Sequence, residues 1–262
     1  AACTYLACGL DPSKVALFKQ SDIPSHTELS WILNTLTPMP MLMLAHAFKD
    51  SEAKNKDVNS GLFTYPVLMA ADILMYNADV VPVGKDQEQH VEIARELAGK
   101  FNRAYGELFT MPQAYIVKEV ATVPGIDGTK MSKSKGNHIP LFGTDEEIKK
   151  QVMSIVTDSL RPEDKKNPDE SAVYQIHKLF LTQEEDKALR QKFLQGGYGY
   201  KDAKEACAAA IISFVSPMRE RYTYYKNNPK EVIAILEDGK TKAKTKSDEM
   251  ISQVRKITGL SF

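Results

Sequence analysis

The chain is short of the features that would narrow its class quickly. It has three cysteines, Cys3, Cys8 and Cys207, and their spacing fits no metal-ligand set. An odd, sparse count reads as reduced thiols in a cytosolic-type compartment, so a cytoplasmic location is expected. There is no excess of either charge: 34 Lys and Arg balance 34 Asp and Glu. That excludes a global basic field, and any polyanion must be met by local patches. No apolar run reaches the roughly 18 residues of a membrane span. The opening "AACTYLACG" lacks the basic region of a signal peptide. Internal repeats and low-complexity tracts are absent as well. What is present is ordinary: 43% hydrophobic and 26% charged residues in a chain of 262, enough for one large domain or two smaller ones. The opening carries no methionine and reads as a short buried strand, which predicts a fragment of something longer.

Along the chain, two halves differ in character. "TYLACG" and "VALFKQ" read as short buried strands. "SHTELSWILNTL" reads as a helix opened by a capping box from Ser25 to Glu28. "YPVLMAADILMY" is a helix apolar nearly all round, hence buried. "DVVPVG" reads as a buried strand of Val80, Val81 and Val83 running into a helix that starts near Asp86. Strands alternating with helices predict an α/β layer on a parallel sheet over residues 1–141. After Leu141 helix follows helix. Thr144 with Glu147 and Thr182 with Glu185 form capping boxes, Gly196-Gly197 stops the second, Asn228-Pro229 opens another helix and Gly239 ends it. Residues 142–262 read as an all-α domain.

Three stretches carry chemistry. In "VVPVGKDQEQH", Gly84 ends a strand at the carboxyl edge of a parallel sheet, where α/β proteins bind ligands. Gly84 permits close backbone approach, for example to a ribose. Asp86 accepts from sugar hydroxyls or simply caps a helix, and Gln87 both donates and accepts. In "YPVLMAADILMY", Tyr65, Met69 and Asp72 are spaced i, i+4, i+7 and share one helix face. An aspartate in an apolar helix is costly unless paired. It serves either a hidden backbone amide or, as the single acceptor of an apolar pocket, a flat ligand with one N–H or O–H donor. In "GTKMSKSKGN", residues 128–137, Lys130 and Lys133 sit three apart with Gly128 and Gly136 as hinges. The stretch is either a solvated lysine loop or a device for neutralising a triphosphate as pyrophosphate leaves, which is catalysis by positioning and electrostatics.

"KMSKS" matches the second signature of class I aminoacyl-tRNA synthetases. Together with "YLACGLDPSKVALFKQSDIPSHTEL" and "GLFTYPVLMAADILMYNADVVPVGKDQEQHVEIARELAGKFN" it resembles the bacterial-type tryptophanyl-tRNA synthetases over nearly the whole chain. The likeness is specific in residues 1–141 and looser in the helical part, where the layout and "EDGKTKA" carry it. The resemblance implies a Rossmann-like catalytic domain at 1–141 and a helical anticodon and tRNA-binding domain at 142–262. It implies that Asp72 accepts the indole N–H of L-tryptophan, that Tyr65, Met69, Val81 and Val83 line that pocket, and that Gln87 meets the amino-acid end. It places Gly84, Lys85 and Asp86 at the ribose of ATP, the backbone of Val123 and Met131 at adenine, and Lys130 and Lys133 at the phosphates, with Ser132 and Ser134 also among the ATP-binding residues. Lys130 and Lys133 would be the catalytic pair, Mg2+ would accompany ATP with no protein-ligated metal, and the partners would be tRNA(Trp) and a second copy in a homodimer, with no membrane.

The sequence departs from that pattern in two places. His-x-Gly-His, the first signature, is missing: His26, His46, His90, His138 and His177 do not form it. By resemblance it belongs to an upstream segment with the first strand, without which the chain is an incomplete enzyme. Lys85 stands where many relatives carry an acid. His90 fits the family's DQxxH but reads as an exposed helical histidine. Lys240, Lys242, Lys244 and Lys246 serve either tRNA phosphates or a solvated helix end. A tyrosyl-tRNA synthetase would place further polar groups near Asp72, where Met69, Ala70 and Ala71 stand. The same letters also fit a non-catalytic remnant that binds tRNA or a partner, or a non-synthetase nucleotidyltransferase using the same lysines.

Overall fold

A computed structural model describes residues 1–45, 48–49, 57–116 and 123–261. The chain forms two compact units, one of residues 1–11 and 119–232, the other of residues 12–118 and 233–262. These are drawn differently from the division at 141, because residues from 233 onward pack with the first half of the sequence.

The unit of residues 12–118 and 233–262 holds the parallel sheet. Helix α2 (Ser25–Thr35), α3 (Met39–Met43) and α4 (Ser60–Leu74) precede strand β1 (Val80–Pro82). Helix α5 (Glu88–Tyr105) then crosses to β2 (Gln113–Tyr115), which pairs parallel to β1 with Val81 opposite Ala114. This βαβ unit is the parallel arrangement expected from the alternation, although β2 itself gave no pattern in the sequence. The core joins Leu29 and Leu33 of α2, Val67, Ala70, Ala71 and Leu74 of α4, and Ala94, Leu97 and Phe101 of α5. Met250, Ile251 and Val254 of the last helix, α10 (Pro229–Ile257), close it.

Several expectations fail here for definite reasons. The strand 80–83 is open rather than buried: Val80 is 52% exposed and Val81 and Val83 only half-buried, since β1 has one strand beside it among the described residues. "VALFKQ" forms no strand; Val15 is exposed, and a 3-10 turn starts at Gln20. The capping box at Ser25 does not form. That turn delivers the chain into α2 with Pro24 at the cap, and backbone carbonyls of Ile23 and Pro24 take the N–H groups of His26, Thr27 and Glu28. Glu28 is free to turn to Arg255, 2.6 Å away at both oxygens. Gly239 does not end a helix; it lies inside α10. A Cβ there would sit 2.1 Å from the Leu17 carbonyl oxygen, so glycine serves the close crossing of two backbones. Lys240, Lys242, Lys244 and Lys246 are therefore mid-helix. They pair with Glu237, Asp238, Asp248 and Glu249 of their own helix.

The other unit opens with α1 (Ala2–Ala7), where a strand was expected. Adjacent Leu6 and Ala7 are both buried, which an alternating strand facing one core does not do, and Arg221 Nε donates to the Ala7 carbonyl at 2.8 Å. Helices α6 (Asp145–Met153), α7 (Ala172–His177), α8 (Gln183–Gln195) and α9 (Tyr200–Asn227) follow. Both predicted capping boxes form, Thr144 with Glu147 and Thr182 with Glu185, and Gly196 stops α8 at φ 82°. Ile148, Val152, Val173, Phe193, Cys207 and Ile211 are among its core residues.

Candidate active site

Helix α4 sets the first part of the site. Asn59 caps it by accepting the Leu62 N–H at 2.8 Å, which fixes the phase of the face carrying Tyr65, Met69 and Asp72. The Tyr65 hydroxyl lies 2.8 Å from His90 Nε2, with the rings edge to face, and burial pushes its phenol pKa up. His90 is thus buried, not exposed. It shares the inner face of α5 with Ala94 and Leu97 at i+4 and i+7, both fully buried.

Asp72 keeps 36% of its side chain exposed. Both of its oxygens take the Gln20 amide at 2.8 Å, and His26 Nδ1 lies 3.4 Å from Oδ1, close enough for attraction but outside hydrogen-bond geometry. Burial raises the carboxyl pKa, while Gln20 and His26 oppose the rise. His26 Nε2 is 2.8 Å from the Tyr76 hydroxyl. Burial, helped by the Asp72 charge, pushes the Tyr76 phenol up to about 12. The protonated phenol and Nε2 are hydrogen-bonded, and the neighbouring carboxylate favours the tautomer that carries the imidazole proton on Nδ1, toward Asp72. Burial lowers the His26 pKa against the pull of Asp72, so the ring stays neutral near pH 7. Phe18 packs its ring against both His26 and Tyr76. Gln20 and His26 were missed in the sequence, which offers no local sign of a partner 52 or 46 residues away; Tyr76, one turn beyond Asp72, could have been found by helical spacing.

After β1, Gly84 leads into a 3-10 turn, Lys85–Gln87, and α5. The Val83 N–H still donates to the Tyr115 carbonyl. A Cβ on Gly84 would meet Asp86 Oδ1 at 2.7 Å, so the glycine lets the aspartate fold back over the turn. Gln87 Nε2 donates to Asp86 Oδ2 at 3.1 Å, and Lys85 pairs on the surface with Glu88 at 2.6 Å.

The signature loop lies in the other unit. Pro124 and Lys130 form an antiparallel bridge, and the Met131 N–H donates to the Val123 carbonyl at 2.9 Å. Two groups of the backbone expected at adenine, the Met131 N–H and the Val123 carbonyl, are therefore already engaged with each other. Gly128 and Gly136 take left-handed φ values of 78° and 68°, which explains glycine at both ends. Ser132 and Ser134 hydroxyls are 2.8 Å apart. Lys130 and Lys133 are exposed, and among the described residues neither has an ion-pair partner. Two uncompensated cations are what a polyphosphate needs. No cluster of His, Cys, Asp and Glu among the described residues could hold a metal ion, and no helix there is long and apolar enough to cross a membrane.

Residues 1–216 match the family model of the class I tRNA synthetases (W and Y). The chain belongs to that family. It is 48% identical to the tryptophan–tRNA ligase of Fusobacterium nucleatum over 98% of its own length and 79% of the relative's, and 46% identical to that of Rhodopirellula baltica over 99% and 81%. The tryptophanyl-tRNA synthetase of Campylobacter jejuni, solved with ADP and tryptophan, superposes with a TM-score of 0.91 at 43% identity, covering 98% of this chain and 81% of that one. A tyrosyl-tRNA synthetase from Aeropyrum pernix superposes at 0.61 with 19% identity over 90% and 70%, which extends to the fold alone. This class I synthetase thus has the Rossmann-like α/β architecture of its relatives, with the βαβ unit around β1 as its local expression.

Proposed function

We propose that this class I synthetase is a tryptophan–tRNA ligase. It activates L-tryptophan with ATP and passes the aminoacyl group to tRNA(Trp). The observation that carries the choice of amino acid is the Asp72 carboxylate, the one acidic side chain of α4, on a face it shares with Met69 one turn back. Its Gln20 partner is a neutral amide that leaves the negative charge in place. Ala70 and Ala71 beside it are fully buried and offer no polar atom to a phenol, which favours indole over tyrosine.

In this reading the indole N–H donates to Asp72, Tyr65, Met69, Val81 and Val83 surround the ring, and Gln87 orients the amino-acid end. Gly84, Lys85 and Asp86 hold the ribose, with Lys85 the weakest member because Glu88 engages it. The backbone of Val123 and Met131 meets adenine through groups other than the Met131 N–H and the Val123 carbonyl, which bond to each other. Lys130, Ser132, Lys133 and Ser134 hold the phosphates, and Mg2+ arrives with ATP as part of the substrate. The tryptophan carboxylate attacks the α-phosphorus, the bond to the bridging oxygen breaks, and pyrophosphate leaves with its new charge met by Lys130 and Lys133. The adenylate's acyl carbon is then attacked by the terminal ribose hydroxyl of the tRNA, releasing AMP. Residues 142–262 serve the anticodon and tRNA. The protein works as a cytoplasmic homodimer.

The test is amino-acid-dependent exchange of pyrophosphate into ATP, using protein from the complete reading frame. Exchange with tryptophan and none with tyrosine is expected; the reverse preference would refute the assignment.

A further inference from the structure

We infer that Asn137 is the positioning residue that fixes the shape in which the loop presents Lys130 and Lys133 to a polyphosphate, an inference that rests on the phosphate reading of those lysines. Asn137 is 3% exposed although it ends an exposed, lysine-rich stretch. Its side-chain oxygen accepts the Ser132 N–H at 2.7 Å. Its nitrogen donates to Asp127 Oδ1 at 2.8 Å and the Lys130 carbonyl at 3.1 Å, with Thr129 Oγ1 at 3.3 Å. One amide therefore grips the residues on both sides of Met131 and the turn that precedes them.

The surroundings are shaped around that amide. A Cβ on Gly125 would lie 2.4 Å from Asn137 Nδ2 and 2.7 Å from its backbone oxygen, so only glycine admits the side chain. The Asn137 carbonyl takes the Ile126 N–H at 3.0 Å, and Asp127 is held by the Thr129 N–H and hydroxyl as well. Hydrogen bonds to Asn137 and Thr129 keep the Asp127 carboxyl below its usual range, so it stays an acceptor. Lys130 and Lys133 take no part through their ammonium groups. The loop is thus ordered by Asn137, Thr129 and the Asp127 carboxylate, with Lys135 Nζ donating to Thr129 Oγ1 at 3.3 Å, while the Lys130 and Lys133 ammonium groups stay uncommitted, which spares the ordering that a flexible lysine loop would undergo on meeting its ligand.

The test uses protein from the complete reading frame and follows pyrophosphate exchange in Asn137→Ala, Lys130→Ala and the double variant. Asn137→Ala is expected to lower kcat/KM for ATP by about 10- to 100-fold, the scale of misplacing a catalytic group, with KM for tryptophan unchanged. In the double variant the two losses should fall well short of multiplying, because Asn137 acts through Lys130. Should Asn137→Ala misfold, Asn137→Asp keeps the size and the acceptor for the Ser132 N–H but loses the donors to Asp127 and the Lys130 carbonyl, and should give the same pattern. Losses that multiply fully, or a rise in KM for tryptophan alongside a fall in Tm, would mean a structural asparagine only and overturn the proposal. So would normal kinetics in Asn137→Ala with Lys130→Ala slow. Normal kinetics in Lys130→Ala would instead refute the phosphate reading beneath it.

Discussion

The signature loop and the α4 face, the two parts of the proposed site, hold their polar groups by opposite means. In the loop, Asn137, Asp127, Thr129 and Ser132 bond to one another within a short stretch of chain, and the ammonium groups of Lys130 and Lys133 stay outside the network. On the α4 face Asp72 is itself inside the network, tied to Gln20 and His26 from a distant segment of the sequence. The loop presents charge by leaving it unpaired. The helix face tempers charge by surrounding it, since a half-buried carboxylate would otherwise give up its specificity by protonating.

The largest way to break this contrast is to remove a loop cation. Lys130→Ala and Lys133→Ala should each slow adenylate formation by about 10²–10³-fold, the scale for one preorganised electrostatic group. Tryptophan affinity, measured by equilibrium binding, should hardly move. On the helix face Asp72→Asn should weaken tryptophan use by about 1.5–3 kcal/mol, the range for a charged hydrogen bond, read from kcat/KM.

Two stability measurements sharpen the contrast between local and distant contacts. Gly239→Ala should destabilise by about 1–3 kcal/mol, as overpacking does, where an ordinary helix-interior glycine would gain from the change. The cause is the Leu17 carbonyl in the place of the new Cβ, and denaturant midpoints would reveal the sign. Smallest is the Glu28–Arg255 pair. The guanidinium's hydrogen bonds hold the Glu28 carboxyl below its ordinary 4.5. Its contribution is present above that value and lost as pH falls through the lower folded value. Glu28→Gln should therefore reduce stability by under about 1 kcal/mol at neutral pH, since the pair is largely exposed. The deficit should vanish in acid.

What the sequence showed follows the same line. Both capping boxes and the phase of α4 were legible because each depends on residues within two helical turns of one another. The signature loop was legible as letters. The opening helix and the failed cap at Ser25 were misread because short apolar runs fit either period, and because the turn at Gln20 displaced the cap. Gly239, His90 and the Asp72 partners were hidden for a different reason. Their roles are set by Leu17, Tyr65, Gln20 and His26, which nothing local announces.

The most direct test crosses the two regions in one assay. Pyrophosphate exchange would be measured with tryptophan and with its benzothiophene analogue, in which sulfur replaces the indole N–H, for the parent, Lys130→Ala and Asp72→Asn. The account predicts that Lys130→Ala slows both ligands by the same factor and that Asp72→Asn penalises tryptophan far more than the analogue. Equal losses for the two ligands in Asp72→Asn would make Asp72 a structural acid and contradict the account.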